Sequence, residues 1–328
     1  MNKYIVTYAP CFEKNMLLEL EKGVGEVRIV KKFDHDLLLI ECDKMVDSDL
    51  IFVKHLMPVM KSGIVIEKEM FFENLLEEVI KIVELKNEKF AVQCRIKKGD
   101  GAFSAKDVEV FLGTYFEKNG AVPAFVETES VIKIISVFIF EKEYYIGFST
   151  NVENLNYHCD EYRLFSKNGR QVSRAENKLK EAIAKFKIPL IKNGMALDIG
   201  AAPGGWSLVL ADYGYHVLAV DPGNLKESVL NNPLIKHFKG RIEDLKINEQ
   251  FDMIVNDMNV DPKETSLIMN QIASLLKKDG IVILTLKLPI KSTNLIFETI
   301  SILEEQYQVV AIKSLFHNRQ EVTLVLKK

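Results

Sequence analysis

The sequence predicts an α/β protein in two parts, an α+β amino-terminal half and a carboxyl-terminal doubly wound, mostly parallel sheet. Three features carry that reading. From residue 195 onward, strand-like and helix-like segments alternate. A loop of small residues joins the first of those strands to its helix. Before residue 150 the order is different, with strands following one another directly. A length of 328 residues suits two domains better than one.

Residues 1–60 read as one small unit. KYIVTYA is a strand, and FEKNMLLELEKG has apolar residues at helical spacing, closed by Gly23. VRIVKKF and DLLLIEC follow as strands, and DSDLIFVKHLM reads as a helix. Strand–helix–strand–strand is the opening of a ferredoxin-like arrangement. Residues 61–150 repeat the mixture. IVIEKE is a strand, FENLLEEVIKIVELK a helix, FAVQCRI a strand, and KDVEVFLGTYFEKNG a helix closed by Gly120. VIKIISVFIF and EYYIGFS pair as a hairpin.

Residues 151–172 are polar and irregular, which suits a linker. SRAENKLKEAIAKF then forms a short helix leading into the domain of residues 173–328. Its strands are MALDIG, YHVLAVD, IKHFKG, FDMIVNDM, GIVILTLK, YQVVAIKSL and VTLVLKK. No helical segment separates the last two, so they should form an antiparallel pair.

Hydrophobic residues make up 48% and charged residues 27%, the composition of an ordinary globular protein rather than a disordered one. No apolar run approaches the roughly 18 residues of a membrane-crossing helix. The first residues, MNKYIVTYAPCFEK, lack the order of a signal peptide, so a cytoplasmic enzyme is expected. Cys11, Cys42, Cys94 and Cys159 lie far apart, so no zinc site and no other metal is expected. Net charge is −3, unlike a global nucleic-acid binder. Between residues 163 and 192, however, nine Lys or Arg face only Glu176 and Glu181. Such a stripe can hold phosphates, with Arg170 and Arg174 as candidates, or it is a solvated helix face.

The richest stretch is Leu197-Asp198-Ile199-Gly200-Ala201-Ala202-Pro203-Gly204-Gly205-Trp206-Ser207. Glycines let the backbone approach a ligand, and the following helix offers unpaired N–H groups. The loop fits neither GxGxxG nor GxxxxGK[ST]. The next strand ends in Asp221, and an acid there suits a ribose diol. Two further charged groups close strands at what would be the crevice edge: Asp257 after FDMIVN and Lys287 after IVILTL.

LDIGAAPGGWS resembles motif I of the FtsJ-like ribose methyltransferases. That resemblance implies a Rossmann-like class I methyltransferase domain using S-adenosyl-L-methionine. Ala202, Pro203, Gly204, Gly205 and Trp206 would line the donor pocket, Asp221 would hold the ribose hydroxyls, and Asp257 would border the methyl group. Asp244 in GRIEDL is offered to the adenine, although the family's acid sits nearer Gly240, where Arg241 and Ile242 stand. Lys178, Asp257, Lys287 and Glu321 match the family's Lys–Asp–Lys–Glu set in order and context. The match implies Lys287 as the base or steering group, tuned by Lys178 and Glu321 and oriented by Asp257. A lysine takes a proton only when burial or a neighbouring cation favours its neutral form. Amino-directed base methylation fits less well, because Asn256-Asp257-Met258-Asn259 stands where those enzymes carry paired prolines. Cytosine-C5 chemistry needs a cysteine nucleophile, and no cysteine follows Cys159.

The resemblance extends along MNKYIVTYAPCFEK, YYIGFS, SRAENKLKEA, LKLPIK and LFHNRQEVTLVLKK to a branch that methylates cytidine in 23S rRNA. It differs in Ala202, where that branch has cysteine, in Ala175, where it has serine, and in a shorter segment before motif I. Its amino-terminal half is similar to a THUMP region over residues 61–150, which implies RNA docking. Arg95, Lys97 and Lys98, with Phe103 nearby, could then contact RNA, or they form a plain exposed turn. A transfer RNA or other RNA substrate, and a non-catalytic RNA-binding assembly factor, are the rival readings. Retention of Asp257 and Lys287 favours an enzyme over the second of them.

Overall fold

The computed structural model describes residues 1–45, 50–65, 68–99, 101–124, 131–155, 172–289 and 295–328, without the side chains of residues 68 and 69. The chain divides into two compact units, residues 1–163 and 164–328. Among the described residues no helix is long and apolar enough to cross a membrane.

The first unit holds two sheets. Strands β1 (Asn2–Tyr8), β2 (Val27–Asp34), β3 (Leu37–Cys42) and β4 (Val53–Pro58) form one, with helix α1 (Glu13–Val24) between β1 and β2. Its order is β2-β3-β1-β4 and every pairing is antiparallel, the strand order of a ferredoxin-like sheet. The segment expected as a second helix, DSDLIFVKHLM, is instead β4 over residues 53–58; residues 46–49 lie outside the described ones. Ile51, Phe52, Leu56 and Met57 do fall at helical spacing. Here, however, Val53–Met57 is buried on both faces, Lys54 and His55 included, and main-chain pairing with β1 prevails over the periodicity.

The second sheet contains β5 (Lys61–Ile64), β6 (Lys89–Lys97), β7 (Val122–Pro123), β8 (Lys133–Phe140) and β9 (Glu143–Thr150), in the order β5-β9-β8-β6-β7. Helices α2 (Lys68–Ile80) and α3 (Ala105–Lys118) supply Phe71, Leu75, Val79, Val108 and Leu112 to the same core as Cys94, Val137 and Ile146 of the sheet. The strand expected at IVIEKE lies earlier, at residues 61–64, and α2 begins at Lys68. Pairing with β9 fixes it there, since Lys61 faces Ile146 and Ile64 faces Glu143. Helix α3 opens with a reciprocal capping box between Ser104 and Asp107. The two sheets share apolar contacts, with Ile5, Phe33, Leu39 and Met57 of the first against Phe138, Phe140 and Tyr145 of the second.

The second unit begins with α4 (Glu176–Lys185). Then come β10 (Met195–Ile199), α5 (Gly205–Asp212), β11 (His216–Val220), α6 (Glu227–Leu230) and β12 (Ile235–Phe238). The rest is β13 (Phe251–Asn256), α7 (Pro262–Gln271), β14 (Leu276–Lys287), α8 (Leu295–Leu303), β15 (Gln308–Lys313) and β16 (Glu321–Lys327). The sheet order is β12-β11-β10-β13-β14-β16-β15. The five strands from β12 to β14 run parallel, and β16 inserts antiparallel between β14 and β15. This is the doubly wound sheet that the sequence predicts, with its antiparallel closing pair. Strand order reverses between β10 and β13, and the carboxyl ends of the strands at such a reversal are where a doubly wound sheet takes its ligand.

Candidate active site

Register puts the candidate residues side by side. Ile199, the last residue of β10, faces Val220 of β11 and Asn256 of β13. Gly200, Asp221 and Asp257 therefore leave three neighbouring strands at one level. Gly200 has φ +75°, and its missing side chain leaves room for Met258, which follows Asp257. Asn256 shapes that second turn by accepting from the Met258 N–H at 2.9 Å.

The loop between β10 and α5 is built around Asp221. One carboxylate oxygen accepts from the Ala202 N–H at 3.0 Å and the other from the Gly223 N–H at 2.6 Å. Pro203 follows a cis peptide bond. Gly204 caps α5 with φ +107°, and a Cβ there would lie 2.8 Å from both methyl groups of Val229. Gly204→Ala should thus cost about 2–4 kcal/mol by combining a disfavoured backbone angle with overpacking. Urea unfolding checks this, and a loss below about 1 kcal/mol would show that the turn has slack.

Gly205 and Trp206 do something the sequence did not reveal. A Cβ on Gly205 would collide with the Ser173 hydroxyl, so the glycine admits the chain leading into α4. The Trp206 ring is buried, and its indole N–H donates to the Ala175 carbonyl at 2.7 Å. Trp206 thus ties α4 to the glycine loop, and its ring belongs to the core rather than to an open pocket wall. Glu176 accepts from the Val172 and Ser173 N–H groups at 2.5 and 3.0 Å, and Lys226 donates to the Val172 carbonyl at 2.7 Å. At the other end, buried Glu181 accepts from the Phe316 and His317 N–H groups at 2.7 and 2.9 Å and meets His317 Nδ1 at 2.8 Å. This clamps α4 to the chain that leads into β16.

These anchors converge on four charged side chains. Lys287 faces Glu321 across the β14–β16 pairing. Lys287 Nζ lies 2.7 Å from Asp257 Oδ1 and 3.8 Å from Glu321 Oε2. Lys178, from α4, reaches both Asp257 oxygens at 3.2 Å and makes a close ion pair with Glu321 Oε1. The side chains are only 8–21% exposed. Burial alone would lower the Lys178 ammonium, but Asp257 and Glu321 outweigh it and hold this lysine above its usual value. Two cations and two carboxylates thus form a compact, neutral group beside the glycine loop.

Two more polar residues belong here. The Thr285 hydroxyl donates to Asp257 Oδ1 at 2.5 Å. Asp198, fully buried in β10, accepts from the Ser207 hydroxyl at 2.5 Å, and burial pushes its carboxyl up to about 7. Neither is a charged residue at a strand end, the signal that marked Asp257 and Lys287. Asp244 closes a 3-10 turn over Ile242–Asp244 and is exposed. Among the described residues no hydrogen bond or ion pair links it to Asp221 or the glycine loop.

The expected RNA contacts fare unevenly. Arg95 donates to Thr7 Oγ1 at 3.0 Å and lies 3.9 Å from Asp36. Lys97 pairs with Asp34 at 2.7 Å and Asp36 at 3.0 Å. Both therefore cross-link the two sheets of the first unit instead of standing free for phosphate. Lys98 is exposed, lying over the Phe140 ring at 4.9 Å. Phe103 is stacked on Phe71 at 4.7 Å, within the core of the second sheet. Arg174 is exposed just before α4, and Arg170 lies outside the described residues.

Residues 171–313 match the family model described as FtsJ-like methyltransferase. Ribosomal RNA large subunit methyltransferase M of Xanthomonas euvesicatoria pv. vesicatoria is 34% identical over 165 residues, covering 47% of this chain and 47% of that protein. The chain thus aligns with about half the length of that relative. Uncharacterized protein MJ1257 of Methanocaldococcus jannaschii is 29% identical over 273 residues, covering 75% of this chain and 73% of its own. Among solved structures, TrmN from Thermus thermophilus aligns over the full length of both chains with 16% identity and a TM-score of 0.41.

Proposed function

With residues 171–313 matching the FtsJ-like methyltransferases as premise, we propose that this chain transfers a methyl group from S-adenosyl-L-methionine to a ribose 2′-hydroxyl of RNA. The observation that carries the reading is the Lys178–Asp257–Lys287–Glu321 group, assembled from four elements beside the glycine loop. The residues present fit the donor. Asp221 is held by two backbone N–H groups at the carboxyl edge of the sheet, where its carboxylate can take ribose hydroxyls. The loop from Ala202 to Gly205 offers main chain for close approach.

The donor supplies an activated sulfonium methyl, so the protein's tasks are alignment and proton removal. Lys178 is held charged by two carboxylates, which suits it to gripping the substrate ribose rather than to accepting a proton. That leaves Lys287 Nζ to steer the attacking hydroxyl; to receive its proton as well, the ammonium must first give one of its own to solvent. Asp257 orients both ammonium groups, and Glu321 keeps Lys178 in place. The names of the relatives favour ribosomal RNA, and 23S rRNA is the proposed substrate, with cytidine as the nucleoside. The first unit is proposed to dock RNA as a THUMP-like domain with Lys98 as an accessible contact, and Arg174 of the second unit is proposed as another.

A tritiated methyl-transfer assay on total RNA from a strain lacking the gene, followed by nucleoside analysis, tests this. Label should enter a 2′-O-methylnucleoside of 23S rRNA, and Lys287→Ala should reduce it by about a hundredfold or more. Label in transfer RNA would move the substrate. Label in a methylated base would overturn the ribose reading.

A further inference from the structure

We infer that Thr285 is a positioning residue, whose hydroxyl fixes the Asp257 carboxylate so that Lys287 is held in line with the attacking oxygen. The inference rests on the proposed role of Lys287 and extends it to a residue that no charge pattern marks. Thr285 is the one polar side chain in the Ile281–Leu286 stretch of β14, and it is 1% exposed. A buried hydroxyl is costly unless it is bonded, and this one bonds Asp257 Oδ1 at 2.5 Å. Lys287, two residues along and on the same face of the strand, donates to that oxygen at 2.7 Å and lies 3.4 Å from the Thr285 oxygen. Lys178 approaches the carboxylate evenly, at 3.2 Å from each oxygen, and so does not choose between them.

The three donors differ in stiffness. The two lysines are long and flexible, whereas a β-branched threonine on a central strand has few rotamers. The rigid donor sets the plane of the carboxylate, and the flexible ones follow it. Across the strand pair, Thr323 cannot take over, because its hydroxyl is engaged with the Asn318 side chain at 2.9 Å. Without the Thr285 hydroxyl, Asp257 can turn and carry Lys287 away from its line. A misplacement of about 1 Å near a reacting atom costs on the order of a hundredfold in rate.

The test compares Thr285→Val, which keeps the shape, with Thr285→Ser, which keeps the hydroxyl. Single-turnover transfer to total RNA from the deletion strain should slow by about ten- to a hundredfold in the valine variant. Affinity for S-adenosyl-L-methionine should stay within about twofold, and the serine variant should recover most of the rate. A second readout needs no reaction. In the free protein, NMR of 15N-labelled lysine ammonium groups should show Lys287 protons exchanging with water faster in Thr285→Val than in wild type or Thr285→Ser. If valine destabilises the fold, Thr285→Ala is read by the same two measurements. Wild-type rate and exchange in the valine variant would overturn the inference, as would equal impairment in both variants. Lys287→Ala separates the levels: full activity there sinks the proposed mechanism, while an inactive Lys287→Ala beside a fully active Thr285→Val sinks only the role of Thr285.

Discussion

Asp257→Ala is expected to lower single-turnover methyl transfer by about a thousandfold or more. The carboxylate accepts from Lys287, Lys178 and Thr285 together, so its loss releases every partner at once. Two ammonium groups would then share Glu321 alone, which already makes its closest contact with Lys178. The four-residue group is neutral in the native protein and would carry one net positive charge in the variant. Removing one partner from such a poorly exposed arrangement costs about 3–5 kcal/mol in comparable cases, so thermal stability should fall as well. Asp257→Asn separates the two effects. An amide keeps the size and one acceptor oxygen but not the charge. It should restore much of the stability while leaving the rate near that of the alanine variant. Transfer by Asp257→Ala within about tenfold of wild type would remove Asp257 from the proposed mechanism.

The second unit was legible because its signals are local. Alternation of strand and helix, a glycine loop after the first strand, and acids and a lysine closing later strands lie in short stretches of chain. The parallel register then brings Gly200, Asp221 and Asp257 to one edge without further information. What stayed hidden depends on partners far away in sequence. Glu181 reads as one more surface charge of an amphipathic helix until Phe316 and His317 fold onto it. Trp206 reads as a pocket residue until the Ala175 carbonyl takes its N–H. Arg95 and Lys97 read as phosphate contacts because Asp34 and Asp36, which hold them, lie about sixty residues earlier. In β4 the failure was of another kind. Helical spacing of apolar residues cannot be told from a strand buried on both faces, and only the pairing with β1 decides.

Asp198 makes the stability of the protein depend on pH. Burial in β10 is the main cause of its raised carboxyl, the nearby negative charges of Asp257 and Asp221 add to it, and the hydroxyl and amide of Ser207 pull the other way. The native value, about 7, lies above the roughly 3.9 of an unfolded aspartate, so the folded protein holds this proton more tightly. Its contribution to stability is therefore complete below about pH 4 and is lost as pH rises through about 7. Asparagine cannot ionise. Asp198→Asn carries some fixed cost, because a second amide group replaces a carboxyl oxygen, but that cost does not change with pH. The informative quantity is the difference in unfolding free energy between variant and wild type at two pH values. From pH 5 to pH 8 it should move in favour of the variant by about 2–3 kcal/mol. Urea unfolding at the two values measures it. A difference that stays constant with pH would mean that Asp198 does not hold a proton in the native state. The Ser207 hydroxyl would then be supporting a buried anion behind Asp257, and the charge balance of the whole site would shift by one.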